Sequence, residues 1–319
     1  MTITAKQRED RRNHLGSSDM AAIMGLSLYK SPMDVWLEKV YDTEPAEETK
    51  AMRIGNRFEA GLLEEGAERV RADEPEIMKR FPGLKFQSNQ FRVKDIFGAH
   101  LDAQGYEQKN GKKIFVPIGQ EAKTTSKWEG WGDEGTDQVP DDVALQVHHQ
   151  IYAASLEIVF IPVVTVSFGR LDMRLYKIER RSGIEEKIIH FGQHWWEQHV
   201  IAKKPPVDSG PASLDVLKRI RREPETVVDI PAIDVDLWQE LREKRLEAGK
   251  KEKEALARAL GLIGNNEAGR LPDGRMLVFR PEPAADKIDR AILRSQWPEI
   301  YSKIATETIR RVPRLRKAG

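Results

Sequence analysis

Two short stretches constrain this fold more than anything else in the chain. One is Gly98-Ala99-His100-Leu101-Asp102. The other is Ile114-Phe115-Val116-Pro117-Ile118, running into Gly119-Gln120-Glu121-Ala122-Lys123. Both are dense in apolar and small residues, so both read as strands, joined by a turn. Residues two apart on a strand share a face, so Glu121 and Lys123 point the same way. An Asp on one strand and Glu-x-Lys on its neighbour set two hard oxygen ligands beside one ammonium group. Mg²⁺ prefers oxygen ligands and keeps several waters. A metal held there polarises a phosphate and lowers the pKa of a bound water. A lysine alongside can position that water, or deprotonate it if the metal depresses its pKa. The pattern points to metal-dependent phosphodiester hydrolysis. The plainer alternative is a solvated strand face.

Length and charge narrow the field. At 319 residues the chain can form one large domain, or one domain with an appendage. Lysine and arginine number 52 against 51 acidic residues, a net charge of +1, so a basic surface for a polyanion must be local. There is no cysteine, which excludes disulfides and thiolate metal sites and fits a reducing compartment. With no secretory h-region and no long apolar run, the chain reads as soluble and cytoplasmic, without a membrane partner.

The order of elements predicts an α/β fold. Residues 1–72 read as helical: a capped turn from Ser17-Ser18-Asp19, a helix after Ser31-Pro32, and a third over Glu47 to Arg71. Residues 84–125 alternate as strands. A polar loop with Trp128 and Trp131 follows, then a helix opening at Pro140-Asp141-Asp142. Ile158 to Ser167 and Leu171 to Ile178 read as a buried strand and its hairpin partner, and Ser182 to Ala202 as an aromatic-rich helix. Lys203-Lys204-Pro205-Pro206 is the expected boundary, giving domains 1–205 and 206–319. Beyond it come a long charged helix over Asp234 to Leu260, a hairpin turning at Pro272-Asp273-Gly274, and a basic tail over Ile309 to Lys317.

Several stretches together resemble the YqaJ-type viral recombinase family, to which phage lambda exonuclease is related. They are Arg11-Arg12-Asn13-His14-Leu15-Gly16-Ser17-Ser18-Asp19, Ser27-Leu28-Tyr29-Lys30-Ser31-Pro32, Gly55-Asn56-Arg57-Phe58-Glu59 and His100-Leu101-Asp102. Most specific is the run Glu121-Ala122-Lys123-Thr124-Thr125, Trp131-Gly132, Gly135-Thr136-Asp137, Val139-Pro140 and Gln146-Val147-His148-His149-Gln150. The likeness is good over about the first 200 residues and loose beyond. It implies a restriction-endonuclease-like core of the PD-(D/E)xK class, a short mixed sheet flanked by helices, with a C-terminal helical and β-hairpin extension. Leu101 stands where the class name has proline.

By that resemblance, Asp102 and Glu121 would ligate Mg²⁺ (Mn²⁺ as the alternative), with Glu59 adding a carboxylate. Lys123 and Gln146 would orient the attacking water. Ser18 and either Arg11 or Arg12 would contact a DNA phosphate. The expected activity is a phage or prophage recombination exonuclease that degrades the 5′ strand from duplex ends. Its partners would be double-stranded DNA ends and a single-strand annealing protein, and its assembly a homo-oligomer, a trimer in the lambda relative. Two alternatives stand beside it: an endonuclease on the same core, and an inactive DNA-end-binding adaptor.

Other residues read both ways. Glu59 fits a solvated helix face as well as a site, and Gln146 and Gln150, at i and i+4, fit buried amides. Trp128 and Trp131 either stack on unpaired bases or fold their loop onto the protein. His148 and His149, at i and i+1, diverge on a helix and do not suggest a metal pair.

Overall fold

The structure is a computed structural model describing residues 5–167, 170–206, 210–224, 226–281 and 289–305. The basic tail lies outside the described residues. The chain divides into two compact units, Met1–Arg222 and Glu223–Gly319.

In the first unit, α1 (Ala5–Asn13), β1 (Leu15–Gly16), α2 (Ser17–Ile23), α3 (Pro32–Val40), α4 (Lys50–Asp73) and α5 (Pro75–Arg80) come first. Strands β2 (Lys85–Lys94), β3 (Phe97–Lys109), β4 (Lys112–Gln120) and β5 (Lys123–Thr125) follow. Then come α6 (Asp141–Ala153), β6 (Ile158–Ser167), β7 (Arg170–Glu179), α7 (Ser182–Trp195) and α8 (Leu214–Arg219).

Local chemistry sets several of these boundaries. Ser31 caps α3: its hydroxyl accepts from the Asp34 N–H at 3.1 Å, and the Asp34 carboxylate accepts from the Ser31 N–H at 3.0 Å. Pro32 occupies the first helical position. Thr49 caps α4 through the Met52 N–H. At α2 the structure corrects the expected cap. Gly16, not a serine, is the N-cap, and the Asp19 carboxylate accepts from the Gly16 N–H at 3.0 Å. Ser17 and Ser18 lie inside the helix.

Seven strands form one mixed sheet in the order β1-β3-β4-β6-β5, with β2 added to β3 and β7 to β6. β2–β3, β3–β4 and β6–β7 are antiparallel, whereas β1–β3, β4–β6 and β5–β6 are parallel. This is the α/β class expected, a mixed sheet flanked by helices. Alternation along β6 splits its side chains between two cores. Val159, Ile161 and Val163 join Met20, Val147, Ile151 and Ile188 from the helices α2, α6 and α7. Phe160 joins Val70 and Ile77 from α4 and α5. At Gly66 helix α4 lies so close to β6 that a Cβ would sit 3.1 Å from Pro162 Cγ. That approach sets the height of α4 over the sheet and hence of Glu59, two turns earlier.

The helix expected over Ser182 to Ala202 is α-helical only to Trp195. Trp196–Ile201 widen into a π-helix, where Trp195 and Trp196 are both buried. Helix α8 belongs to the first unit, with Val216 buried in its larger core.

The second unit holds α9 (Ala232–Ile263), a hairpin of β8 (Ala268–Arg270) and β9 (Met276–Val278), then α10 (Arg290–Gln296) and α11 (Pro298–Ile304). Gly274, at φ +88°, supplies the left-handed residue of the hairpin turn. Ile263 is the buried hydrophobic residue of this unit among those described. The first unit has its own core, so a chain ending at Arg222 is expected to stay soluble and unfold cooperatively. Thermal unfolding followed by circular dichroism checks this, and an insoluble product would show that the first unit needs the second. Among the described residues no helix is long and apolar enough to cross a membrane.

Candidate active site

Asp102 lies mid-strand in β3, and Glu121 sits just past the end of β4. The break between β4 and β5 presents the Ala122 N–H to Asp102 Oδ2 at 2.9 Å, tying the two strands together at the carboxylates. Lys123, opening β5, donates from Nζ to Glu121 Oε1 at 2.6 Å. Helix α6 completes the cluster from above. Gln146 Oε1 accepts from Lys123 Nζ at 2.9 Å, and Gln146 Nε2 donates to Glu121 Oε1 at 2.5 Å. One turn on, Gln150 Nε2 donates to Glu121 Oε2 at 2.7 Å. Both oxygens of Glu121 are therefore engaged. Among the described residues, the other oxygen of Asp102 accepts no hydrogen bond.

The electrostatics follow from crowding. Burial pushes the Asp102 carboxyl well above the usual carboxylate range, and the charge of Glu121 pushes it further. Glu59, half-buried on α4, is also raised, first by burial and then by Glu121. So α4 brings Glu59 within electrostatic range of both carboxylates, though no hydrogen bond joins it to them. Burial opposes the charged form of Lys123, but the attraction and hydrogen bond of Glu121 outweigh it and the amine is raised. Lys123 is placed to donate to a water or an anion beside Glu121.

Among the described residues no three of His, Cys, Asp and Glu gather as ligands for one metal ion. The donor set still suits a hard divalent cation. Two carboxylates converge with too little compensating charge, one oxygen of Asp102 accepts no hydrogen bond among the described residues, and such a cation draws its remaining ligands from water.

These groups open on a cleft of about 810 Å³ lined by Asp102, Glu121 and Gln146. Arg11, Arg12 and Ser18 line the same cleft. The expected phosphate contacts therefore share one cleft with the carboxylates. Arg11 is near enough to His100 to help burial lower the His100 pKa.

Sequence reasoning missed a buried ionic network in the cleft wall. Asp19 Oδ1 pairs with Lys30 at 2.7 Å and Oδ2 with Lys39 at 2.6 Å. Lys30 and Arg219 both pair with Glu38, each at 2.6 Å. Lys39 also donates to the backbone carbonyls of Arg11 and His14. Those are orphan acceptors at the end of α1, so Lys39 fastens that helix to α3. Nothing in Leu37-Glu38-Lys39-Val40 distinguishes this lysine from a solvated one.

The two loop tryptophans fold inward. Trp128 carries the Arg174 guanidinium 4.1 Å from its ring centre, Trp131 lies 5.1 Å from Tyr176, and both pack against the larger core. His149 is fully buried, its Nε2 3.1 Å from the Gly98 carbonyl, and burial lowers its pKa to about 4.

Residues 7–157 match the family model described as the YqaJ-like viral recombinase domain. The matched span holds Glu59, Asp102, Glu121, Lys123 and Gln146, and ends just past α6. A Bacillus subtilis (strain 168) protein, "Uncharacterized protein YqaJ", is 25% identical over 316 residues, covering 94% of this chain and 90% of that protein. The similarity thus runs beyond the matched span of residues 7–157 into the second unit. Among solved structures, LHK-Exo in complex with dAMP is 14% identical and covers 63% of this chain and 94% of its own, with a TM-score of 0.46. The alkaline exonuclease LHK-Exo from Laribacter hongkongensis is 13% identical over the same shares, at 0.42. A phage related exonuclease from Haemophilus somnus 129PT is 11% identical over 61% of this chain and 99% of that one, at 0.27.

Proposed function

We propose that this protein is a divalent-metal-dependent deoxyribonuclease of phage recombination, an exonuclease that degrades the 5′ strand from duplex ends and leaves 3′ single strands. One observation carries the reading: Asp102, Glu121, Lys123 and Gln146 form a single hydrogen-bonded cluster, in one cleft with Arg11, Arg12 and Ser18. The YqaJ-like domain supports the recombination context.

On this reading Asp102 and Glu121 hold the cation, Mg²⁺ or Mn²⁺, with Glu59 adding negative potential. When bound, the cation supplies Lewis-acid stabilisation of charge on the phosphate. Lys123 donates to the attacking water or a phosphate oxygen, and the Gln146 amide fixes the lysine's direction. Gln150 locks the second oxygen of Glu121, so that the first keeps its aim. The cluster is preorganised, and its donors need little reorganisation as charge develops. Arginines at the cleft wall seat the DNA backbone in a bidentate manner that lysine cannot match. The partners are double-stranded DNA ends and a single-strand annealing protein, and the assembly is a homo-oligomer, a trimer by the resemblance to phage lambda exonuclease.

The test is digestion of linear duplex DNA labelled at the 5′ or the 3′ end, with Mg²⁺ or EDTA, by the unaltered chain and by Lys123→Ala. Metal-dependent loss of the 5′ label, reduced about 100-fold or more in the variant, is the expected result. Loss of closed circular DNA at a similar rate would replace the exonuclease with an endonuclease. Binding to ends with no cleavage of either strand would leave an adaptor.

A further inference from the structure

We propose that Arg8, on the outer turn of α1, holds a second backbone phosphate of the bound DNA strand, beyond the one seated by Arg11 or Arg12. The proposal rests on the DNA reading above. It comes from an inventory of charge in the cleft. Seven cationic side chains line it: Arg8, Arg11, Arg12, Lys30, Lys39, Arg219 and Arg221. Four are already spent. Lys30 and Lys39 pair with Asp19, Arg219 with Glu38 and Arg221 with Asp42. The three on α1 make no ion pair among the described residues, and the Nε of Arg8 is buried without any hydrogen-bond partner. A guanidinium has no acceptor to offer and cannot discharge by deprotonation, so an arginine that lines the cleft with no carboxylate partner among the described residues keeps its charge for an anion there.

The spacing separates this contact from the expected one. Arg8 lies three and four residues before Arg11 and Arg12, so all three share one side of α1. Side chains so placed are roughly 5–6 Å apart at Cβ, so their planar forks can take two different phosphates. Arg11 is the member close to His100, which lies two residues from Asp102 on β3. That places Arg11 toward the carboxylates. The helix carrying the arginines is fixed rather than loose, because Lys39 holds the carbonyls of Arg11 and His14. A fixed row of uncompensated guanidinium groups on an otherwise neutralised wall suits an extended polyanion better than a lone anion.

The experiment measures binding of the full chain to an internally labelled duplex by fluorescence anisotropy, in EDTA so that nothing is cut. Salt is varied, and the ends carry either a 5′ phosphate or a 5′ hydroxyl. Arg8→Ala is expected to weaken binding several-fold at low salt. It should also reduce the slope of log K against log salt by about 1, the signature of one lost phosphate contact. The loss should be equal for both kinds of end, because the phosphate lies inside the strand. Arg8→Lys should recover most of the slope, since it keeps the charge. An unchanged slope and affinity in Arg8→Ala would overturn the proposal. So would a loss confined to 5′-phosphorylated ends, which would make Arg8 part of the end-binding site. Failure of the unaltered chain to bind DNA would overturn this contact and the nuclease reading together. The expected Arg8 effects in a chain that cuts no DNA would uphold the contact while overturning the nuclease.

Discussion

Asp102→Asn should raise the melting temperature of the metal-free protein while abolishing DNA digestion. Asp102 and Glu121 are two carboxylates brought together at the end of β4, with Glu59 in range, and a single lysine offsets them. Burial and the charge of Glu121 disfavour ionised Asp102, so its folded-state pKa is raised. A carboxyl raised on folding binds its proton more tightly in the native state. Its ionised form therefore costs stability once pH passes the ordinary carboxylate value of about 4, and stability recovers as pH falls back through the folded pKa. Asparagine removes the charge and keeps an oxygen to accept from the Ala122 N–H. The variant should melt higher than the unaltered chain in EDTA at pH 7. Millimolar Mg²⁺ or Mn²⁺ should raise the melting temperature of the unaltered chain by mass action and leave the variant nearly unmoved. Activity should fall at least about 100-fold. A variant that melts lower in EDTA would mean that Asp102 acts mainly as a structural acceptor. Equal cation shifts in both proteins would remove Asp102 from the metal site.

Asp19→Ala should have the largest effect on stability of any single change in the cleft wall, about 3–5 kcal/mol. Asp19 is the counter-ion of Lys39, whose side chain is 3% exposed, and it also pairs with Lys30 and caps α2 at Gly16. Without it, Lys39 is a buried ammonium left with two backbone carbonyls. For a unit of this size the cost corresponds to a fall in Tm of roughly 10 °C. The penalty lies in the stranded charge, so adding Lys39→Met should recover part of the loss, whereas independent effects would add. Burial works against the Asp19 carboxylate, but its two lysines outweigh it and hold it far below the usual range. Its contribution is present above the ordinary carboxylate pKa of about 4 and is lost as pH falls from there toward the folded value. Urea unfolding of both variants at pH 7 and pH 3.5 measures all of this. A loss under 1 kcal/mol at pH 7 would show the network to be solvated.

The active-site carboxylates and the lysine were legible because their signal is local. Glu-x-Lys is a two-residue spacing, and the strand that leads into it, β4, declares itself by its own apolar residues. The same holds for the α3 cap at Ser31-Pro32 and the hairpin at Pro272-Asp273-Gly274, where one residue's conformational preference sets the turn. Gln146 stood out through family resemblance, and the fold then gave it a task that spacing could not: bridging Lys123 and Glu121 from helix α6.

Pairings between distant segments were not legible. Lys39 meets Asp19 and the end of α1, Arg219 meets Glu38, and α4 carries Glu59 toward Glu121, each across a gap that no periodicity spans. Which charges are neutralised is likewise a tertiary matter. Arg8, Arg11 and Arg12 look no different in sequence from Arg219 or Arg221, yet among the described residues the fold gives carboxylate partners to the last two and not to the first three. Local chemistry alone determined the strands, the caps and the identity of the reactive groups, because those depend on neighbours a few residues away. The tertiary structure decided which charges are spent and which stay free to meet a ligand, because electrostatic energy depends on distance in space and on burial, and neither is written along the chain.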